Sequence, residues 1–293
     1  MINDYITSRA DLLAVEEGIK SVFSPKLSFI FFEKNILRRV TVISFDRKNF
    51  YLWSPFNLPK SYLLRKCNFE NYSLYKIPHK ITITDNMHKG WQEGSEKDFT
   101  DNLSRFQFTS NNWFEKPVIS GGLLTPFIKI HQKIRKDNLE DIYYTKESYL
   151  ATIVHEFAHV YYHFHRLWWF SDKKENLFYL QSAKDLYGKR ERMKEKIAKI
   201  KIPVPQYFSE VFAFCAEYSA AFFLWKNHLR NIHTANIHRL NRLLSLEKEK
   251  NLNKVDSVLL PTKPHDTASV FGIILISQYP STWPQKILKK ISM

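Results

Sequence analysis

Two histidines and a glutamate in the run TIVHEFAHVY, residues 152–161, are the side chains best placed to do chemistry in this chain. Residues four apart on an α-helix stand one turn above each other on the same face. A helix here therefore turns the imidazoles of His155 and His159 towards a common point. Such a pair suits a divalent cation, zinc above all, for which imidazole nitrogen is a preferred ligand. Glu156 follows the first histidine directly, which sets its carboxylate beside the open side of the ion. Zinc brings the pKa of a bound water towards neutrality, and Glu156 would be the general base that takes the proton as the water attacks a carbonyl. The neighbours Thr152, Ile153, Phe157, Ala158, Val160 and Tyr161 are apolar or uncharged. A helix apolar nearly all round is a buried helix, and burial does not leave two histidines and a glutamate without partners. The alternative without chemistry is an exposed pair of histidines, or a pair satisfied by other core groups.

At these residues the chain resembles the zincin metallopeptidases, whose motif sets HExxH among uncharged or apolar neighbours. Thr152, Ile153 and Val154 before it, and Val160 and Tyr161 after it, meet that requirement. The resemblance implies a Zn2+ cofactor, hydrolysis of peptide bonds, a cleft across the molecule, and a protein or peptide substrate laid along an edge strand. Ser120–Ile130 precedes the helix, as the edge strand does in that family. The likeness extends over about residues 117–226 and includes nothing in the first hundred.

A catalytic zinc generally takes three protein ligands and keeps one position open. His165 stands ten residues after His155, the metzincin spacing, but Tyr162 occupies the place where that pattern needs a glycine to leave the helix. His163 lies ~12 Å along the axis from His155, too far to share its ion, and reads as a group behind the ligands or on the surface. The gluzincins take a glutamate from a later helix, often followed at the third position by a small residue. Glu210, followed by Ala213, and Glu217, followed by Ala220, both fit. About 10 Å of rise separates them, so one ion takes only one. The string SEVFA is similar to the sequence around the ligand in anthrax-lethal-factor-like peptidases, which favours Glu210 and leaves Glu217 to orient a ligand. Neither glutamate has an aspartate four residues on, a departure from the thermolysin-type arrangement. Glu210 could instead act on the dipole of its own helix. Tyr207, Tyr218, His228 and His233 are candidates to stabilise the oxyanion of the reaction.

The elements that must position these groups read as follows. A helix spans Ser8–Phe23, capped by Ser8 with Asp11 three residues on. Three β-rich runs come next: KLSFIFFEK (26–34), ILRRVTVISF (36–45) and NFYLWS (49–54). Residues 61–112 give no clear pattern. PVISGGLLTPFIKIH, residues 117–131, reads as a strand bent at a double glycine. Helices then dominate: Lys146–Trp168 capped by Thr145, a basic segment Lys189–Lys201, a strongly apolar Gln206–Asn227, and two more near Ile232–Glu249 and Thr267–Gln278. The expected class is α+β: a β-rich region over residues 1–105, then a zincin-like domain over 106–293, with the active-site helix under a small mixed sheet and a helical C-terminal part.

The net charge of +15 is concentrated partly in residues 173–201 and partly after His228. Such an excess attracts nucleic acid or acidic surfaces, although interspersed Glu and Asp also suit a solvated helix face. A nucleic-acid-associated protein, or a SprT-like protease acting on DNA-bound proteins, is the rival reading and needs His228 or His233 as third ligand. A purely structural zinc would want closed coordination, often with cysteines; Cys67 and Cys215 do not cluster with the histidines. Cys215 sits in an apolar run and reads as a buried hydrophobe. The acidic start of the chain and the lack of a long apolar stretch lead to the expectation of a soluble, cytoplasmic protein.

Overall fold

The computed structural model describes residues 6–46, 48–78, 109–111, 117–125, 128, 145–165, 206–226, 272, 275–276 and 279–288. The chain is mixed α+β and divides into two compact units: Met1–Pro25 with Phe31–Tyr161, and Lys26–Ile30 with Tyr162–Met293. The expected boundary near residue 105 lies outside the described residues.

The first unit opens with α1, Arg9–Val22. Ser8 and Asp11 form the expected capping box: the Ser8 hydroxyl accepts the Asp11 N–H at 3.2 Å, and the Asp11 carboxylate accepts the Ser8 N–H at 3.0 Å. Asp11 is buried, and its other oxygen accepts the Thr125 N–H at 2.8 Å, so its charge meets hydrogen-bond donors on both sides.

Six strands follow: β1 Thr41–Phe45, β2 Asn49–Ser54, β3 Leu63–Lys66, β4 Ser73–Pro78, β5 Thr109–Asn111 and β6 Val118–Ser120. They form one sheet in the order β3-β4-β2-β1-β6-β5. β1 and β6 are parallel and the other pairs antiparallel. Alternation along the strands gathers Ile43, Phe45, Phe50, Leu52, Tyr75, Ile77 and Val118 into one apolar cluster. Trp53, paired with Val42 on the other face, donates its indole N–H to Glu16 of α1 at 3.2 Å. That glutamate also takes the Arg65 guanidinium of β3.

The helix expected from Lys146 is α2, Lys146–His165. Thr145 caps it, its hydroxyl accepting the Ser148 N–H at 3.2 Å while the Ser148 hydroxyl accepts the Thr145 N–H at 3.0 Å. α1 packs against it at Gly18. A Cβ there would lie 2.4 Å from Ile153 Cδ1 and 3.1 Å from Ile153 Cβ. Phe157 meets the Phe23 ring edge-on, with centroids 6.4 Å apart. Glu16 and Gly18 are two residues apart and so point to opposite sides of α1, one towards the sheet and the other towards α2.

In the second unit, α3 spans Gln206–Leu224 and α4 spans Trp283–Leu288. Phe212 of α3 meets the Trp283 ring at 5.0 Å, and the Trp283 indole donates to the Ser219 hydroxyl at 3.1 Å. Gly272 lets another helical segment lie against α3, where an added Cβ would come 3.2 Å from Phe214 Cβ.

Several expectations need correction. KLSFIFFEK is not a strand but a short 3-10 helix, Pro25–Leu27, followed by turns. Its buried apolar residues Leu27, Ile30 and Phe31 are three and four apart, the spacing of a helical turn rather than of alternation. In ILRRVTVISF only Thr41–Phe45 is extended, while Leu37–Arg39 is a 3-10 turn. The buried Tyr72 hydroxyl holds that turn, donating to the Val40 carbonyl at 2.8 Å and lying 3.1 Å from that of Leu37. Ser120–Ile130 is not an edge strand. β6 ends at Ser120 and is paired on both sides, and Leu124, Thr125 and Ile128 are helical. The Asp11 bond to the Thr125 N–H turns the chain away from the sheet. α4 falls in a stretch where no helix was expected. The basic segments 173–201 and 232–249, and most of 267–278, lie outside the described residues. No helix among the described residues is long and apolar enough to cross a membrane.

Asp46 closes the β1–β2 turn. It accepts the Thr7 hydroxyl at 2.7 Å, the Tyr51 hydroxyl at 3.0 Å, and the Lys48 and Asn49 N–H groups at 2.8 and 2.9 Å. Burial by itself raises its pKa, but the bonds from Thr7, Lys48 and Asn49 outweigh it and hold the carboxyl below its ordinary value. Its stabilisation is therefore complete above the unfolded pKa of about 4 and is lost as pH falls through the lower folded value. In denaturant titrations, Asp46→Asn should lose ~1–3 kcal/mol at pH 7 and depend less on pH below ~4 than wild type; an unchanged acid limb would refute this. Gly18→Ala should destabilise by ~1–3 kcal/mol although alanine is the better helix former, because Ile153 is stiff at χ1 and must be displaced. A gain in stability would show that the helices do not approach this closely.

Candidate metal centre

The apolar side of α2 fixes which way its polar side faces. Ile153 lies on Gly18, Phe157 on Phe23, and Tyr161 between Phe31 and Phe32 at centroid distances of 5.4 and 5.7 Å. The Tyr161 hydroxyl accepts the Glu33 N–H at 3.3 Å, and burial pushes its pKa up to about 12, so it stays neutral. His155 and His159 each follow one of these anchors by two residues, about 200° around the axis. They therefore stand on the opposite strip of the helix, with Glu156 beside them.

All three polar residues are buried, with relative exposures of 7% for His155 and Glu156 and 8% for His159. The two Nε2 atoms are 3.1 Å apart, and the ring planes meet at 74°. The ligating atoms of the three residues all lie within 4.8 Å of one another. Two nitrogens bound to one zinc at about 2.0–2.1 Å stand about 3.3–3.4 Å apart at the tetrahedral angle, and 3.1 Å apart at an angle of about 100°. The spacing fits a shared ion. It also fits one imidazole N–H donating to the other ring, which would leave Glu156 with no electrophile to serve. Among the described residues, His155, Glu156 and His159 form a group able to hold a metal ion.

The other expected site residues are placed elsewhere or not described. Glu210 is half-buried and Glu217 buried on α3, in the second unit; neither belongs to the group just described. They share one strip of α3 with Ala213 and Ala220. His165 is the last residue of α2 and half-buried. Tyr218 is buried and stacked on Phe214 at 5.9 Å, an environment of the core. The Tyr207 side chain, His228 and His233 lie outside the described residues, as does the basic segment on which the nucleic-acid reading rests.

No family model matches the chain, and no curated protein or solved structure matches it significantly. Function must be read from the site itself.

Neither cysteine offers a nucleophile. Burial, and then the neighbouring Glu16, push the Cys67 thiol up to about 12, and full burial pushes Cys215 well above its ordinary value. The sequence did not reveal the partner of His163, whose Nε2 lies 3.0 Å from the Ser209 hydroxyl. Its position one turn beyond His159 was the available signal; nothing local marked Ser209.

If the two imidazoles share an ion, metal stabilises the folded state by mass action. Zinc at ~100 times its dissociation constant should add ~2.7 kcal/mol and raise the melting temperature by several degrees. The His155→Ala/His159→Ala double variant should show no such rise. An identical thermal response from both proteins would assign the 3.1 Å contact to a plain imidazole hydrogen bond.

Proposed function

We propose that the protein is a zinc-dependent endopeptidase with a zincin-like centre, in which His155 and His159 hold the ion and Glu156 is the general base. The single observation that carries the reading is the convergence of two Nε2 atoms at 3.1 Å beside a buried carboxylate on one turn of helix. The donor set suits zinc: two borderline nitrogen ligands from one helical turn, with the remaining positions left to a third protein ligand and a water.

When bound, zinc supplies Lewis acidity, polarising a scissile carbonyl and easing the ionisation of water. The remaining work falls to the chain. The Glu156 carboxylate accepts the proton of the attacking water and delivers it to the departing amine, so one group serves as base and then as acid. Its burial beside His155 and His159 strengthens these charge interactions relative to water. Glu210 is the proposed third ligand, on the strength of the Glu-x-Phe-Ala string and its small residue Ala213, with Glu217 and His165 as rivals. A protein or peptide is the substrate this chemistry suits.

Metal analysis and hydrolysis of a mixed peptide library test the reading together. Glu156→Gln should keep its zinc and lose at least ~100-fold in hydrolysis, the scale of a general base. Among Glu210→Ala, Glu217→Ala and His165→Ala, the variant lacking the true ligand should lose zinc affinity by orders of magnitude. Undiminished cleavage by Glu156→Gln would end the general-base role, and full zinc in Glu210→Ala would remove that residue from the ligand set.

A further inference from the structure

Residues 211–221 of α3 are buried without exception, and the burial stops abruptly at Phe222, which is 46% exposed. Helical hydrogen bonding continues past it, the Trp225 N–H donating to the Ala221 carbonyl at 3.1 Å. Phe222, Trp225 and Lys226 stand three and four residues apart and so share one side of this helix end. The Phe223 ring meets that of Phe222 edge-on at 4.9 Å and that of Phe29 at 5.4 Å. Phe29, Phe223 and Trp225 are half-buried. Exposed Lys26 and Lys226 flank the rings. The Lys26 ammonium lies 3.4 Å from the Phe223 carbonyl, at the negative end of the helix dipole. All six residues belong to the second compact unit. A single exposed ring on a protein surface is ordinary; four aromatic side chains gathered at one helix end between two ammonium groups are not.

We propose that this helix end docks on an anionic lipid surface, with Phe222 and Trp225 entering the interfacial layer and Lys26 and Lys226 meeting the headgroups. Aromatic rings suit the boundary between headgroups and acyl chains, and lysine stems carry their ammonium groups out to the phosphates. Charge favours lipid over a second copy of this chain. Each copy carries +15, so two copies repel one another while an anionic leaflet attracts either. Size favours it too. A stable protein interface takes roughly 20–30 residues a side, whereas attachment to a bilayer grows with whatever apolar area is inserted and whatever charge is presented. The attachment is peripheral and reversible, and it needs no metal, so it stands apart from the zinc centre.

Co-sedimentation of the full chain with lipid vesicles is the test. Vesicles of equal parts phosphatidylcholine and phosphatidylserine should bind the protein, and vesicles of phosphatidylcholine alone should bind it at least ~10-fold less. Phe222→Ser leaves the net charge unchanged and should weaken binding to the mixed vesicles ~5–10-fold, the scale of withdrawing half a phenylalanine from an apolar layer. Trp225→Ser, also neutral in charge, should act in the same direction. Lys226→Gln, at an exposed position, should cost ~5-fold. Wild-type binding by both serine variants would show that net charge alone holds the protein to the vesicles, and would overturn the proposal. So would failure of the wild-type protein to bind the mixed vesicles. Should the serine variants not fold, Lys226→Gln decides, and undiminished binding by it would overturn the proposal. Self-association in the absence of lipid, lost in Phe222→Ser and unaccompanied by vesicle binding, would assign the patch to a second copy instead.

Discussion

Gly18 brings the backbone of α1 close enough to α2 for Ile153 to rest on it, and the orientation of the polar strip follows from that contact. A helix can rotate about its axis until something stops it. Here the stop is a stiff β-branched side chain against a residue with no side chain at all, with Phe157 on Phe23 and Tyr161 between Phe31 and Phe32 along the same stripe. Once these apolar groups are docked, His155, Glu156 and His159 have only the opposite side of the helix available. Glycine inside a helix is unfavourable by roughly 0.5–1 kcal/mol relative to alanine. Its presence in mid-α1 has a physical reason in this approach.

The buried charges of the first unit show how this chain treats polar groups in its interior. Asp11 is met by its own helix cap and by the Thr125 amide, Asp46 by four neighbours of the β1–β2 turn, and Glu16 by an indole and a guanidinium. Each is tied to donors that also join two elements, so each carboxylate fixes a connection as well as satisfying itself. The strip on α2 is built differently. Two imidazoles face one another at 3.1 Å with a carboxylate alongside, a set rich in lone pairs converging on one point.

The sheet and the second unit contribute in less direct ways. The Glu16–Trp53 bond ties the side of α1 away from α2 to β2, so the helix that backs α2 is itself anchored to the sheet. In the second unit, Phe212 and Ser219 bind α3 to Trp283.

Local pattern made much of this legible. The Ser8–Asp11 box, the Thr145 cap, β2 and the start of α3 could all be read from neighbouring residues, since capping, alternation and helical spacing are short-range effects. So could the sharing of one helical face by His155 and His159, which depends only on 3.6 residues per turn. Long-range contacts decided the rest. Leu37–Arg39 is a turn rather than strand because a tyrosine thirty-odd residues away holds its carbonyls. Ser120–Ile130 leaves the sheet because Asp11, from the far end of the sequence, captures the Thr125 amide. Gly18 gives no hint in the sequence that it faces Ile153, and Ser209 none that it faces His163. The sequence by itself determined the type and spacing of the chemical groups; tertiary packing decided which way they face and what holds them, because direction is set by contacts between residues far apart in the chain.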